Sequence, residues 1–354
     1  MSKLWQQLES GAPFFIAEAG VNHLGSIELA RKLIREASKA GAHAIKFQSY
    51  KAKNLTTKDA PRFWDWEGEE KPEGSQYDSY SILDSFGESE HLELKNICDE
   101  YDIEFMSTPF DVEATDYLDR VGINAYKIAS CDVTNHPLLE HVASKGKIVM
   151  LSTGASNIQE IREAVDILKK GTNMIVVMHC NLKYPTPDNE INLNMIKHLQ
   201  TEFPDCLIGL SDHTMNLMTP VFAHMLGANI CEKHYTVDKT LDKSADHWLS
   251  VDPSDIREII ESYKLATTML GSGEKECTLG EERARMYARR SIVLEQSIEA
   301  GEEFTHKNLA CKRPGTGIAP KYLSQLIGKK SARSLEKDHI LEMSDILQKG
   351  EQNE

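Results

Sequence analysis

The amino-acid sequence predicts an α/β fold, a (β/α)8 barrel followed by a small β-rich domain, in a chain of 354 residues. Three observations lead there. From Phe14 to about Leu270, short β-branched runs alternate with longer stretches of helical periodicity, which is the pattern of repeated βαβ units. Polar residues that could do chemistry fall at the C-terminal ends of these runs, where a barrel gathers them at one mouth. After about Arg290 the pattern changes to short apolar runs broken by Gly301, Pro314, Gly315, Gly317 and Pro320.

Eight strands are expected, beginning near Phe14, Ala44, Glu104, Ala125, Ile148, Met174, Leu207 and Asn229. Helices are expected over Ile27 to Ala40, His91 to Tyr101, Ile158 to Lys169, Leu193 to Glu202 and Asp255 to Met269. Ser26, Ser89, Asn157 and Ser254 stand where caps should start helices, and Gly41, Gly122, Gly146, Gly171 and Gly271 where helices should stop. An open doubly wound sheet is the competing architecture. The strand-end placement of Glu18, Lys46, Thr108, Lys127, Ser130, Ser152, His179, Ser211, His213 and His234 favours the barrel. Residues 1–275 are assigned to the barrel, 276–290 to a charged linker and 291–354 to the small domain.

Forty Lys plus Arg against 55 Asp plus Glu gives a formal charge of −15, which argues against nucleic acid or an anionic membrane as the main partner. No run approaches the roughly 18 apolar residues of a membrane span, and MSKLWQQLES lacks a signal-peptide core, so a cytoplasmic location is expected. The seven cysteines are widely spread with no C-x-x-C pair, which favours reduced thiols over a zinc knuckle.

SDH (Ser211 to His213) and EKH (Glu232 to His234) close adjacent strands, so His213 and His234 can converge on one divalent ion, or each can be a hydrogen-bonded structural residue. Lys46 and Lys127 sit in apolar strands, where an unpaired ammonium is costly. Either a bound anion offsets that cost, with hydroxyls from Thr108, Ser130, Ser152 and Ser211, or a barrel carboxylate such as Glu18 or Asp132 does. Glu18 and Asp132 are also the carboxylates best placed to orient water or move a proton. Arg313, in KRPGTGI, is a surface charge or a finger that closes an anionic site.

Taken in order, IAEAGVNHLGS, GAHAIKFQSY, STPF, AYKIAS, LSTG, MHCNLKYPTP, GLSDHT and EKHYT resemble the sialic acid synthases, the family of N-acetylneuraminate, legionaminic and pseudaminic acid synthases. The tail SIVLEQSIEAGEEFTHKNLACKRPGTGI resembles that family's antifreeze-like (SAF, β-clip) domain. The resemblance implies condensation of phosphoenolpyruvate with an N-acetylated hexosamine to a nine-carbon 3-deoxy-2-keto acid and phosphate. It further implies a divalent metal on His213 and His234, manganese first, with magnesium or cobalt as alternatives. It assigns phosphoenolpyruvate to Lys46, Lys127, Thr108, Ser130, Ser152 and Ser211, and the sugar to Gln48, Tyr184, Asp246 and Arg313. It also implies a domain-swapped homodimer in which Arg313 completes the partner's site. Asp132 replaces a glutamate of some members, Gly74 an asparagine, and DKSADH around Asp246 a Gly-Pro-Asp turn. The competing readings are another phosphoenolpyruvate-dependent 3-deoxy sugar synthase, which should carry more basic residues at the mouth, and a non-catalytic sugar binder, which needs no paired histidines.

Overall fold

The computed structural model describes residues 3–64, 74–241, 244 and 246–348. The chain divides into two compact units, Met1–Gly271 and Ser272–Glu354.

In the first unit eight parallel strands close into a barrel in sequence order. They are β1 (Phe14–Gly20), β2 (Ala44–Ser49), β3 (Glu104–Pro109), β4 (Ala125–Ile128), β5 (Ile148–Ser152), β6 (Ile175–Cys180), β7 (Leu207–Asp212) and β8 (Ile230–His234). The helices that follow them are α1 (Ile27–Ala40), α2 (Glu88–Glu100), α3 (Val112–Val121), α4 (His136–Ala143), α5 (Ile158–Leu168), α6 (Met195–Glu202), α7 (Thr219–Met225) and α8 (Pro253–Leu270).

The two-residue period of a strand sorts its side chains into two cores. Phe15, Ala17, Ile45, Phe47, Phe105, Val149, Val177 and Leu210 face outward and pack under the helices. Phe14, Ile16, Ala44, Met106, Ala125, Ile148, Met150, Val176, Met178 and Ile230 face inward as an apolar floor. Leu4, Trp5 and Leu8 of the N-terminal helix Lys3–Glu9 join that floor and plug the end where the strands begin. Continuing the same alternation, Glu18, Lys46, Gln48, Thr108, Lys127, Ser152, Ser211, Glu232 and His234 come next on the inward face, above the floor.

Local chemistry sets the helix ends. Ser26 caps α1 by accepting from the Leu29 N–H, and Gly41 ends it at φ 94° in the left-handed region. Asn157 caps α5 in the same way. Two expected caps are wrong. At α2 the cap is Gly87, not Ser89, because the Glu90 carboxylate reaches back to the Gly87 N–H at 2.8 Å. At α8 it is Asp252, not Ser254, because Pro253 lacks an N–H and suits the first helical position, which moves the cap two residues earlier.

The second unit holds an antiparallel pair, β9 (Ser291–Leu294) and β10 (Leu309–Lys312), around Ile292, Leu294, Ile298, Phe304, Ile318, Leu326, Leu335, Leu341 and Ile346. Buried Asp345 receives Arg333 at 2.7 Å and His339 at 2.9 Å. A short helix, α9 (Glu282–Tyr287), lies in the stretch read from sequence as a plain linker. All seven cysteines are free thiols.

Candidate active site

A cavity of about 570 Å3 opens at the C-terminal ends of the strands. Glu18, Lys46, Gln48, Thr108, Lys127, Ser130, Asp132, Ser152, Tyr184, Ser211, His213, His234 and Asp246 all line it. Arg313 lies in the second unit. His179, the other polar strand-end residue singled out, faces away and bonds the Ile191 carbonyl at 2.7 Å. Gly74 is not among the lining residues, and Asp242, Lys243 and Ala245 of the DKSADH segment lie outside the described residues.

At the base of the cavity two lysines face two carboxylates. Lys46 Nζ is 2.5 Å from Glu18 Oε2 and 3.7 Å from Glu232 Oε2, and it donates to Thr108 Oγ1 at 2.8 Å. Lys127 Nζ is 3.4 Å from Glu232 Oε1, which also accepts from the Ser211 hydroxyl at 3.2 Å. Gln48 donates to the other Glu18 oxygen at 3.1 Å. The carboxylates that face the lysines are therefore Glu18 and Glu232. Asp132 sits apart, in a 3-10 turn after β4, and accepts from Asn135 at 2.9 Å.

Burial and charge pull the two glutamates in opposite directions. Burial raises the Glu18 pKa well above the carboxylate range, and Lys46 offsets only part of that. Burial acts the same way on Glu232, but Lys127 and Lys46 outweigh it and hold that carboxyl below its ordinary value. Burial also raises Asp132 and Asp246.

Hydroxyl donors complete the base. Ser130 accepts from the Gly154 N–H at 2.9 Å and donates toward Cys180 Sγ at 3.5 Å. A Cβ on Gly154 would stand 2.9 Å from the Ser130 oxygen and 3.0 Å from the Leu182 nitrogen, so only glycine permits this approach. Ser152 Oγ is buried with no hydrogen-bond partner.

Beside these groups the His213 and His234 rings lie 5.5 Å apart, and Tyr184 packs 4.1 Å from the first and 5.8 Å from the second. His213 Nδ1 donates to the Asn181 carbonyl at 2.7 Å, which leaves Nε2 as its free electron pair. His234 Nδ1 is buried without a hydrogen-bond partner, 3.6 Å from Asp246 Oδ2. Burial and neighbouring cations push the His234 pKa well below its ordinary value, so its imidazole is neutral. Burial lowers the His213 pKa, but Cys180 and the Asn181 carbonyl outweigh it and raise the value, so that ring must give up its Nε2 proton to bind an ion. With that proton gone, the two imidazoles are a donor set that fits a borderline divalent ion. No cluster of three or more His, Cys, Asp or Glu ligands occurs among the described residues, so an ion here would keep positions for water and substrate.

The outer wall is largely apolar, with Leu55, Phe63, Tyr80, Ile82, Leu83 and Trp248 beside the polar Gln76 and Ser79. Lys46 and Lys127 are the only lysine or arginine side chains among the described lining residues.

Residues 33–275 match the model of the NeuB family, and residues 289–347 that of the SAF domain. The chain belongs to the NeuB family. This NeuB-family chain is 42% identical over 335 residues to an uncharacterized protein of Methanocaldococcus jannaschii, with 94% of each chain covered. It is 38% identical to the N,N'-diacetyllegionaminic acid synthase of Legionella pneumophila, with 91% of each covered. Among solved structures it resembles the N-acetylneuraminic acid synthetase of Leptospira borgpetersenii in complex with citrate, at 37% identity and a TM-score of 0.68, covering 77% of this chain and 90% of that one. NeuB relatives are synthases, and the chain is an enzyme of that sialic-acid-type class.

Reading the sequence of this NeuB protein for histidines passed over Glu232, although strand alternation puts it on the same face as His234. Cys180 was passed over in the same way, two residues beyond the inward Met178. Glu18 also predicts a pH dependence. An acid whose pKa is raised by folding binds a proton on folding, so its stabilising contribution is full below the ordinary carboxylate pKa and is lost as pH rises through the raised value. Glu18→Gln is therefore expected to flatten the decline in stability between about pH 5 and about pH 8, measured by urea unfolding across that range. A decline as steep as that of the unaltered chain refutes the assignment.

Proposed function

We propose that the enzyme condenses phosphoenolpyruvate with the open-chain aldehyde of an unphosphorylated 6-deoxy diacetamido hexose, releasing a nine-carbon 3-deoxy-2-keto acid and inorganic phosphate. The observation that carries this reading is the division of one cavity into a hydroxyl-rich base, where two lysines stand beside two glutamates, and a largely apolar outer wall. Phosphoenolpyruvate has a carboxylate and a phosphate for Lys46, Lys127 and the hydroxyls of Thr108, Ser130, Ser152 and Ser211. The wall suits a sugar carrying a C6 methyl and two acetamido methyls, and its described residues include no lysine or arginine for a sugar phosphate. The 38% identity to a diacetyllegionaminic acid synthase is in keeping with such a sugar.

When bound, manganese held by His213 and His234, or magnesium or cobalt in its place, supplies Lewis acidity toward the aldehyde oxygen. The protein's own groups do the rest. Lys46 and Lys127 orient phosphoenolpyruvate so that its C3 faces the aldehyde carbon. A C–C bond forms there, the aldehyde oxygen takes the proton that Glu18 carries by virtue of its raised pKa, and C2 becomes electron-poor. Water adds at C2 with the ionised Glu18 accepting one of its protons, and the C2–O bond to phosphate breaks as the C2 hydroxyl passes its remaining proton to the leaving phosphate, which leaves the ketone. The fixed lysines and hydroxyls stabilise charge on the departing phosphate without reorganising. Gln48, Tyr184 and Asp246 hold the sugar, and Asp132 orients water.

Phosphate release from phosphoenolpyruvate with Mn2+ and a panel of aldoses tests this. The expected result is fastest release with the 6-deoxy diacetamido hexose and slower release with N-acetylmannosamine. Release only with a tetrose or pentose phosphate would favour the seven- or eight-carbon synthases instead, and no release with any aldose would leave a sugar outside the panel or the binding-protein reading. The same reading makes the enzyme a cytoplasmic homodimer whose small domains cap partner barrels. Arg313→Ala is then expected to dimerise and lose activity, and full activity in that dimer refutes the exchange.

A further inference from the structure

The residues between the inward-facing groups of β7 and β8 point the other way, into the layer beneath the helices. Asp212 and Lys233 are register partners across the two strands, and they are 1% and 2% exposed. Lys233 Nζ lies 2.6 Å from Asp212 Oδ2 and also donates to the Thr214 carbonyl. Asp212 in turn accepts from the Thr214 N–H at 2.9 Å and from its hydroxyl at 3.3 Å. Such a buried pair is often replaceable by apolar residues without loss of stability, so stability alone does not explain it.

We propose that Lys233 is a positioning residue that sets His213 and His234 against each other. It immediately precedes His234 and grips the residues on both sides of His213, so one ammonium ties the two imidazole-bearing backbones together from behind. Asn181 aims the His213 ring, and the Thr186 N–H holds the His213 carbonyl at 2.9 Å. Neither contact reaches β8. The β7–β8 ladder pairs the strands only as far as Asp212 and Lys233, one residue short of both histidines. The Lys233 ammonium carries the link past the end of the ladder to Thr214, and with it the spacing on which a shared ion depends. The inference rests on the two-histidine metal reading above.

The full-length protein carrying Lys233→Met and Asp212→Asn together, which leaves no charge unpaired, is titrated with Mn2+ by electron paramagnetic resonance, and its crystal structure is determined. The expected result is a folded chain that binds Mn2+ about 10- to 100-fold more weakly. Its ring separation should depart from 5.5 Å. It should need correspondingly more Mn2+ for half-maximal phosphate release and regain kcat when Mn2+ saturates, a recovery that general loss of structure does not give. Unchanged Mn2+ affinity together with an unchanged ring separation overturns the proposal. If the unaltered protein binds no Mn2+, the metal reading fails by itself, and the ring separation alone then decides the role of Lys233. Should the double variant not fold, Lys233→Gln, which keeps a donor for Thr214 and drops the charge, is measured against the same two outcomes.

Discussion

Replacing His234 by alanine is expected to leave a folded chain that binds Mn2+ weakly or not at all and releases phosphate about a thousandfold more slowly, since Lewis-acid activation supplies several kcal/mol. The fold should survive because His234 Nδ1 has no hydrogen-bond partner to lose. The backbone at this position is held independently, with the Val251 N–H donating to the His234 carbonyl at 2.8 Å. Phosphoenolpyruvate affinity, measured by calorimetry without metal, should change little, because the lysines and hydroxyls are untouched. Unimpaired turnover in the variant would remove the metal from the mechanism.

Lys46→Met is expected to have the largest effect on both stability and binding. The ammonium is 3% exposed in its side chain and touches Glu18, Glu232 and Thr108. Its removal leaves two buried carboxylates facing each other, and breaking such an arrangement costs roughly 3 to 5 kcal/mol. The KM for phosphoenolpyruvate should rise steeply as well, since half of the cationic charge at the base is gone. Adding Glu18→Gln should recover much of the stability and none of the affinity. Recovery of both would mean that Lys46 serves Glu18 and not a substrate.

How much of this was legible depended on how local the signal was. Strand starts at Phe14, Ala44, Glu104, Ala125, Ile148 and Leu207 stand where the sequence puts them, because continuous apolar runs between turn residues mark barrel strands strongly. Those at Ile175 and Ile230 fall one residue late, within ordinary fraying of element ends. The helices α3, α4 and α7 were expected after their strands but given no bounds, and Gly122, expected to stop a helix, does end α3 in the left-handed region at φ 87°. Co-location of the barrel-borne site residues was legible because a closed barrel turns distant strand ends into one rim. Which carboxylate meets which lysine was not, since Glu232 and Lys127 sit on β8 and β4 and meet only across the barrel interior.

The lysine and glutamate quartet at the base of the cavity has a further consequence. Lys46, Lys127, Glu18 and Glu232 form a closed ionic set in which each cation already has an anion beside it. An incoming ligand therefore enters by counter-ion exchange and not by filling an empty positive hole. A monovalent anion can displace one carboxylate from one lysine and leaves the other contact intact, so its gain is small. A ligand with anionic groups at both ends can substitute at both lysines at once, and the second substitution carries no further loss of translational freedom. Discrimination at this base thus follows from ligand valence and span, which a single strongly positive pocket would not distinguish.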